Sequence, residues 1–285
     1  PVIPNLIERT YMLRLNRGPG PMLDLFNGMA LEAAMLGLDL GVFEALDEEP
    51  ASAEALAARI DVDETGVHTL LRFLARAGYV TESAGRYSLT PMSERWLLEA
   101  SPESYARYFR FWQEVLYPFW REHARDAISE GEPQRSVYEW LDEHPDRWET
   151  AQAAFELTAE LIGEDIAATL DVPEGASVLD VGGGHGLYSI AICERHPTAT
   201  ATIFDEEPVR DLAEDHISAA GLDDRISFEV GDYERDSFES GYDASLLFNV
   251  VHGNDRETNE RLFEKLAGAV KPGGQVAILD QFGDE

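Results

Sequence analysis

Residues 177–205 read SVLDVGGGHGLYSIAICERHPTATATIFD, and this stretch decides the fold. An apolar strand leads into a glycine-rich turn, a helix, and a second strand that ends in an acid. This order is typical of the opening βαβ unit of a nucleotide-binding α/β fold. Gly182 directly follows the first strand, where glycine turns without a Cβ penalty. Gly184 and Gly186 would let a ligand approach the backbone and let the helix pack closely on the sheet.

The acid at the end of the second strand strengthens this interpretation. Asp205 stands 23 residues after Gly182, and an acid about 20 residues after the first glycine is expected to bind ribose hydroxyls. The dinucleotide fingerprint would have glycine where Leu187 stands, so the loop departs from the pattern that seats a pyrophosphate. A tight turn without a ligand would explain the glycines alone, but not the glycines together with the acid.

The sequence from Ala176 onward predicts a parallel sheet. Apolar strands alternate with helices, and strands in that order are covered on both faces of the sheet. The strand segments are SVLDV, ATIFD, ISFEV, ASLLFNVV and QVAILD. The run KPGGQ at residues 271–275 predicts a tight turn before the last strand. The fold class is therefore α/β with a Rossmann-like sheet.

The sequence up to about residue 170 is mostly helical in pattern. Ser52 and Asp63 are expected to cap two helices at their N-termini, and Gly78 is expected to end the second. The segments YVTES and YSLT then alternate around a short glycine turn, which predicts a β-hairpin. Helices followed by a hairpin are the order of a winged helix-turn-helix.

The length of the chain suits two domains, because 285 residues exceed one ordinary core. The run Asp171-Val172-Pro173 is the expected boundary. Residues 1–171 would then form a helical winged-helix domain, and residues 172–285 the sheet domain.

The chain is strongly acidic, with a net charge of −33 from 55 acids and 22 bases. Its acids are spread through amphipathic patterns, which predicts a solvated acidic surface rather than a disordered tail. Only Lys265 and Lys271 are lysines, and an acid excess with so few lysines resembles proteins of salt-loving organisms, where salt screens the repulsion. Such a surface repels phosphate backbones, so we expect no nucleic-acid partner.

Cysteine and hydropathy patterns exclude further classes of protein. Cys193 is the single cysteine, which excludes an internal disulfide and a multi-cysteine metal site. The histidines lack metal-ligand spacing, so we expect no metal. Apolar stretches stay short of the roughly 18 residues that a membrane span requires, and we recognise no secretory signal. We therefore expect a cytoplasmic protein that does not bind membranes.

Polar or glycine residues stand at the carboxyl end of each predicted strand. Ligands of open parallel sheets bind beyond these ends, so these residues form the candidate site. They are Asp180 with the glycines, Asp205, the pair Asp232 and Tyr233, His252, and Asp280. A helix cap or a loop acid would explain any one of them, but their convergence on one rim predicts a site.

These motifs resemble the small-molecule O-methyltransferases that join a winged-helix dimerisation domain to a class I methyltransferase domain. The resemblance covers nearly the whole chain and rests on VLDVGGGHG, IFDEEPV, GDYERD, LLFNVVHGND and KPGG. It implies methyl transfer from S-adenosylmethionine, which becomes S-adenosylhomocysteine, to a hydroxyl of a small aromatic molecule. It also implies a homodimer formed through the N-terminal domain.

The resemblance implies roles for individual residues. Gly182 would contact the methionine end of the cofactor, and Asp205 its ribose. Asp232 and Tyr233 would surround the adenine. The other residues assigned to the cofactor site are Asp180, Gly184, Gly186 and Phe248. His252 would be the general base, and Asp280 would orient it.

Elementary chemistry supports the histidine–acid pair independently. A phenol has a pKa near about 10, so removing its proton in step with attack accelerates methyl transfer. A histidine, with an ordinary pKa of about 6.5, can accept that proton, and a carboxylate on its second ring nitrogen fixes the tautomer. The plain alternative for His252 is a loop or capping histidine. His185, by contrast, is expected to be an exposed loop residue.

The sequence departs from the family pattern at two places. The family usually has an aromatic residue soon after the histidine, where this chain has Gly253 and Asn254. A methyltransferase sheet normally continues past its fifth strand into a helix and a further hairpin. The sequence stops at Glu285, so we expect the last strands of the sheet to be missing.

Other functions remain open on the sequence alone. One alternative keeps the cofactor but methylates nitrogen or carbon, or has diverged in catalysis. Another is a transcriptional regulator that uses the winged helix. Residues 1–170 hold 14 basic and 30 acidic residues, whereas DNA binding requires a basic face. The would-be recognition helix offers only Arg72 and Arg76, which disfavours the regulator.

Overall fold

The computed structural model describes residue 7 and residues 10–280. The chain divides into two compact units, Pro1–Arg125 and Asp126–Glu285. Among the described residues, no helix combines the length and apolarity that crossing a membrane requires. Within the same ranges, no cluster of three or more His, Cys, Asp or Glu side chains could hold a metal ion.

The first unit is built from helices and one hairpin. Its helices are α1 (Pro21–Asp39), α2 (Val42–Glu48), α3 (Ala53–Arg59), α4 (Glu64–Ala77), α5 (Pro91–Trp96) and α6 (Ala106–Phe111), preceded by a π-helical turn, Thr10–Arg14. A second π-helical turn, Trp112–Leu116, joins α6 to α7 (Tyr117–Glu130), which continues into the second unit. Strands β1 (Val80–Ser83) and β2 (Arg86–Leu89) pair antiparallel.

The predicted helix ends of the winged-helix segment are confirmed. The Ser52 side chain accepts a hydrogen bond from the Ala55 N–H at 3.2 Å. The Asp63 carboxylate accepts one from the Gly66 N–H at 3.0 Å. Gly78 ends α4 in the left-handed conformation at φ 84°, which glycine adopts without strain. The order of helices and hairpin is that of a winged helix.

The second unit is a parallel sheet covered by helices. Its strands are β3 (Ser177–Val181), β4 (Thr200–Asp205), β5 (Ile226–Val230), β6 (Tyr242–Phe248) and β7 (Val270–Leu279). They form one five-stranded sheet in the order β5-β4-β3-β6-β7, with parallel pairing throughout. Its helices are α8 (Val137–Glu143), α9 (Trp148–Thr169), α10 (Leu187–Arg195), α11 (Arg210–Ala220) and α12 (Arg256–Ala269). The predicted α/β class is confirmed.

Alternation along β3 explains why both faces of the sheet are covered. Val178 packs into a core with side chains of α9, α10 and α11. Its neighbour Leu179 packs into a second core with side chains of α12. Successive side chains of a strand point to opposite faces, so an apolar strand needs helices on both.

The compact units divide earlier than the predicted domain boundary at residues 171 and 172. Helix α9 lies in the second unit, and its Ala159 and Ala167 are buried in the sheet core. A Cβ at Gly163 would lie 3.4 Å from the Ala191 side chain of α10, so the two helices are in close contact. The small residues of α9 therefore tie it to the sheet, and the boundary at 171 stays a prediction.

The predicted tight turn at KPGGQ is wrong, because these residues form an irregular part of β7. Tyr242 pairs with Val270 and Ala244 with Gln275, so extra residues of β7 bulge between the two pairs. Gly273 takes φ 87°, and a Cβ at Gly274 would lie 2.6 Å from the Asp243 carbonyl oxygen. The two glycines thus serve a bulge inside the strand.

Strand order and register determine where a ligand can bind. The chain order reverses between β3 and β6, and such a switch point opens a crevice at the carboxyl ends of the strands. Val181 of β3 pairs with Phe204 on one side and Leu247 on the other. The next residues, Gly182, Asp205 and Phe248, are therefore level with one another at the mouth of the crevice.

Candidate functional site

The glycine loop after β3 is shaped by backbone that other residues could not adopt. Gly182, Gly184 and Gly186 all have positive φ, at 69°, 48° and 76°. A Cβ at Gly182 would meet Val250 at 2.7 Å, and one at Gly186 would meet Ile203 at 2.8 Å. At Gly184 the nearest atom would be the Asp205 Oδ2 at 4.0 Å. The loop is thus packed on two sides and open beside Asp205.

Asp205 closes the loop from β4. Its Oδ2 accepts a hydrogen bond from the Gly184 N–H at 2.8 Å, and its Oδ1 accepts one from the Glu206 N–H at 2.7 Å. Burial raises the pKa of the carboxyl, and these two N–H groups oppose the rise. Each oxygen keeps a further lone pair, so the carboxylate can still accept bonds from a ligand's hydroxyl groups.

Asp180 lies beneath the glycine loop rather than on its open side. The residue is 1% exposed, and its Oδ2 accepts a hydrogen bond from the Ser189 hydroxyl at 2.7 Å. Burial raises the pKa of the carboxyl to about 7; the Ser189 bond opposes the rise, and the negative charge of Asp205 adds to it. A Cβ at Gly183 would lie 2.7 Å from the Asp180 carboxyl carbon.

The expectation that His185 is exposed is wrong. The residue is 6% exposed, and its Nδ1 accepts a hydrogen bond from the Leu187 N–H at 3.1 Å. Its carbonyl oxygen accepts one from the Nδ1 of His216 at 2.9 Å. Burial, reinforced by His216, lowers the pKa of His185 to about 4. The ring folds back over the start of α10 because it satisfies a backbone N–H there.

The loop after β5, which we call the Tyr233 loop (residues 231–236), is held by its own polar groups. Asp232 accepts a hydrogen bond from the Glu234 N–H at 2.8 Å and pairs with Arg235 at 3.3 Å. The Tyr233 hydroxyl donates to the Oδ1 of Asn254 at 3.0 Å. Asp232 therefore stabilises the loop, and Tyr233 extends to the loop after β6.

His252 and Asp280 are in direct contact. The His252 Nδ1 lies 2.7 Å from the Asp280 Oδ1, and the His252 backbone N–H donates to the Oδ2 at 3.2 Å. The Asp280 side chain is fully covered, whereas 36% of the His252 side chain is exposed. Asp280 thus holds the histidine at two points, and Nε2 is the ring nitrogen that Asp280 does not engage.

Phe248 lies at the same level but faces the core. The residue is 7% exposed, and its ring contacts that of Tyr188 edge-on, with centroids 4.9 Å apart. The Tyr188 hydroxyl is buried and accepts or donates no hydrogen bond within the described part of the chain. Phe248 therefore forms part of the apolar wall beneath the rim.

Sequence reasoning missed Tyr138, which lies on α8 and keeps 38% of its surface exposed. The pKa of its hydroxyl is raised to about 12, first by burial and then by Tyr233, Asp205 and Asp280. The hydroxyl end is therefore buried near Tyr233, Asp205 and Asp280, while another part of the side chain stays exposed. Nothing in the sequence marks it, because α8 precedes the sheet and its only local signal is the Ser136 capping box.

Asn254 was also missed as a linking residue. It accepts a hydrogen bond from Tyr233 and donates one to the Oδ1 of Asn259 at 3.2 Å. In the sequence, this position was notable only because the family pattern has an aromatic residue there.

Comparison with protein families gives two matches along the chain. The family model described as the O-methyltransferase domain matches residues 121–285. The model described as the O-methyltransferase dimerisation domain matches residues 23–99. The first match alone spans more than half of the chain and contains the whole rim.

Individual relatives align over nearly the whole chain. The 3-hydroxy-5-methyl-1-naphthoate 3-O-methyltransferase of Streptomyces sahachiroi is 27% identical over 274 residues, which are 94% of this chain and 78% of the relative. The L-tyrosine C(3)-methyltransferase of Streptomyces lavendulae is 26% identical over 92% of this chain and 74% of its own. The apo structure of the S-adenosylmethionine-dependent methyltransferase SibL superposes with a TM-score of 0.69 at 25% identity, covering 92% of this chain and 79% of that one.

The raised pKa of Asp180 predicts how stability depends on pH. Its ordinary pKa of 3.8 applies to the unfolded chain, and the folded value is about 7. Below pH 4 the carboxyl is neutral in the folded protein and does not lower the free energy of unfolding. Above pH 7 it is a buried charge, and the free energy of unfolding is lowered by the full amount. We expect Asp180→Asn to gain stability relative to wild type as pH rises between these limits, by up to about 4 kcal/mol.

Urea unfolding of the protein without cofactor at pH 4 to 8 measures this gain. Asp223→Asn removes an exposed acid and serves as the control. If the free energy of unfolding of Asp180→Asn differed from that of wild type by the same amount at every pH, burial would not raise the pKa of this carboxyl.

Proposed function

The chain belongs to the O-methyltransferase family, and we propose that it methylates a hydroxyl of a small aromatic molecule with S-adenosylmethionine as donor. The observation that carries the proposal is the single rim on which the open glycine loop, Asp205 and the His252–Asp280 pair meet. Relatives whose names specify an aromatic acceptor and this donor support the choice of substrate and cofactor.

The residues of the rim fit the cofactor. The open side of Gly184 is a space that a side chain would fill, and it lies against the free lone pairs of Asp205, which suit ribose hydroxyls. Tyr233 and Asp232 would surround the adenine, and Gly182 the methionine end. Asp180, Gly186 and Phe248 would shape the loop and its wall from the core side. Bound there, S-adenosylmethionine would supply a methyl group on a positively charged sulfur.

His252 would act as the base. Asp280 would accept a hydrogen bond from the protonated Nδ1, so that Nε2 has a lone pair for the acceptor hydroxyl. The covered carboxylate would stabilise the imidazolium that forms when the hydroxyl proton moves to Nε2. The second oxygen of Asp280 holds the His252 backbone, so ring and loop are oriented by one group.

Carbon methylation of a phenol is the second candidate. The relative named as an L-tyrosine C(3)-methyltransferase favours it. A phenolate shares its negative charge with the ring carbons beside the oxygen, so the same His252–Asp280 pair would activate either atom. Positioning of the acceptor would then decide which atom attacks.

We also propose that the protein is a homodimer joined through α1. This helix exposes apolar side chains at helical spacing on one face. They are Met22, Leu25, Phe26, Met29 and Leu36. Apolar faces of this kind mark partner surfaces, and the match to a dimerisation domain begins within α1. The acidic winged helix would thus serve assembly rather than DNA.

Removing the Asp205 carboxylate tests the cofactor site. Asp205→Ala should weaken S-adenosylhomocysteine binding about 10- to 100-fold, because hydrogen bonds to a charged group are lost. Calorimetry compares it with wild type and with Asp223→Ala, which removes an acid away from the rim. Equal affinity in all three proteins, or tighter binding of NAD by wild type, would contradict the assignment.

Removing the base tests the catalytic pair. His252→Ala should slow turnover of an accepted phenol about 10²–10⁴-fold with little change in cofactor affinity. Asp280→Asn should cost less, because it disturbs only the tautomer and orientation of the ring. Near-wild-type turnover by His252→Ala would instead mean that the enzyme acts by positioning alone or uses an acceptor that needs no base.

A charge on the apolar face of α1 tests the dimer. Light scattering of wild type at micromolar concentration and in molar salt should give the mass of a dimer, and Leu25→Glu should give a monomer. Ile128→Glu is the control, because Ile128 is also apolar and 85% exposed but lies on α7. A monomeric wild type, or dimers in both variants, would exclude this interface.

A further inference from the structure

Loops that follow distant strands are joined by a direct side-chain contact. The Tyr233 loop follows β5, and the His252 loop (residues 249–254) follows β6. Strands β4 and β3 lie between β5 and β6, so the strand axes are roughly 14 Å apart. Even so, the Tyr233 hydroxyl donates to the Asn254 Oδ1 at 3.0 Å. Pairing of neighbouring strands does not impose this contact. Tyr233 and Val251 pack against one apolar core, which brings the two loops close, and the hydrogen bond then joins their side chains.

The contact continues to the residue beside the proposed base. The Asn254 Nδ2 donates to the Oδ1 of Asn259 at 3.2 Å. The Asn259 Nδ2 in turn donates to the carbonyl oxygen of Val251 at 2.9 Å. Val251 directly precedes His252 in the chain. A continuous series of hydrogen bonds therefore runs from the Tyr233 hydroxyl to the backbone on which His252 is mounted.

Helix α12 anchors both ends of this series. Asn259 lies in its first turns and holds the His252 loop. Lys265 lies six residues further along, and its Nζ donates to the carbonyl oxygens of Tyr233 and Glu234, both at 2.9 Å. The compact ammonium suits two adjacent carbonyls. Both loops are thus hydrogen-bonded to the same helix, and Asn254 connects one loop directly to the other.

His252 is held directly by Asp280, and the hydrogen-bond series adds support through the residue before it. Its side chain is 36% exposed and meets Asp280 on one side. The loop itself is a single 3₁₀ turn, Val251–Gly253, that contains a glycine. Val250 and Val251 pack on the apolar core below, but the ring of His252 is partly exposed, so its orientation depends on the hydrogen bonds around it.

We propose that Asn254 is a positioning residue that couples the Tyr233 loop to His252 through Asn259. The proposal rests on the function proposed above, in which Tyr233 borders the adenine and His252 is the base. Cofactor bound against Tyr233 would then stabilise the orientation of the base through Asn254. Here the amide takes the place at which the family pattern has an aromatic residue.

A double-mutant cycle tests the coupling. Tyr233→Phe removes the hydrogen bond to Asn254, and Asn254→Ala removes that bond and the next one in the series, to Asn259. Each variant should lower kcat by at least about 3- to 10-fold, the factor of one net hydrogen bond. The double variant should lose no more than Asn254→Ala alone. Ser218→Ala is the control, because it removes an exposed hydrogen bond to Asp223 away from the rim. Losses that multiply in the double variant would overturn the coupling.

A readout without turnover separates this proposal from the proposed function. The ring signal of His252, assigned in labelled protein by its loss in His252→Gln, should shift in both Tyr233→Phe and Asn254→Ala but not in Ser218→Ala. Asn254→Asp, which keeps the acceptor for Tyr233 but cannot donate to Asn259, should shift it too. An unchanged signal in all of these variants overturns the coupling. Shifted signals in a protein that neither binds S-adenosylhomocysteine nor transfers methyl would support the link and refute the function.

Discussion

Parallel pairing of β3 with β4 on one side and β6 on the other is the constraint on which the site depends. Register makes Val181 level with Phe204 and Leu247, and Asp205 and Phe248 are in turn paired with Val230 and Leu279. The strands therefore end within one residue of a common level, and the residues at these ends face one crevice. Glycine is required after β3 because the chain turns there against Val250 and Ile203. A shift in register would separate the glycine loop from Asp205 and His252 from Asp280.

Polar contacts then convert this alignment into a site. Asp205 fixes the glycine loop through the Gly184 N–H, and Asp280 fixes His252 through both backbone and ring. In each case a largely covered carboxylate from one strand end orients a loop from another. The exposed atoms of the rim are thereby held by groups that lie beneath it, which is how an enzyme keeps reactive groups in place before a ligand binds.

Much of this arrangement could be predicted from sequence, because it follows from local pattern. Strand periodicity, the helix caps at Ser52 and Asp63, and the spacing from Gly182 to Asp205 are short-range signals with a physical cause. Contacts between distant segments could not be predicted. Tyr138 reaches the cleft from α8, Asn254 reaches Tyr233 past two strands, and His185 turns inward over α10. The bulge in β7 was missed because KPGG resembles an ordinary turn unless the register of both strands is known.

Hydrogen exchange with and without S-adenosylhomocysteine tests most directly whether the aligned strand ends form the ligand site. We predict slower exchange at the amides of residues 182–187, 205–207, 231–234 and 250–253, and unchanged exchange along α4 of the winged helix. Protection centred on α4, or no protection at saturating ligand, would contradict this prediction.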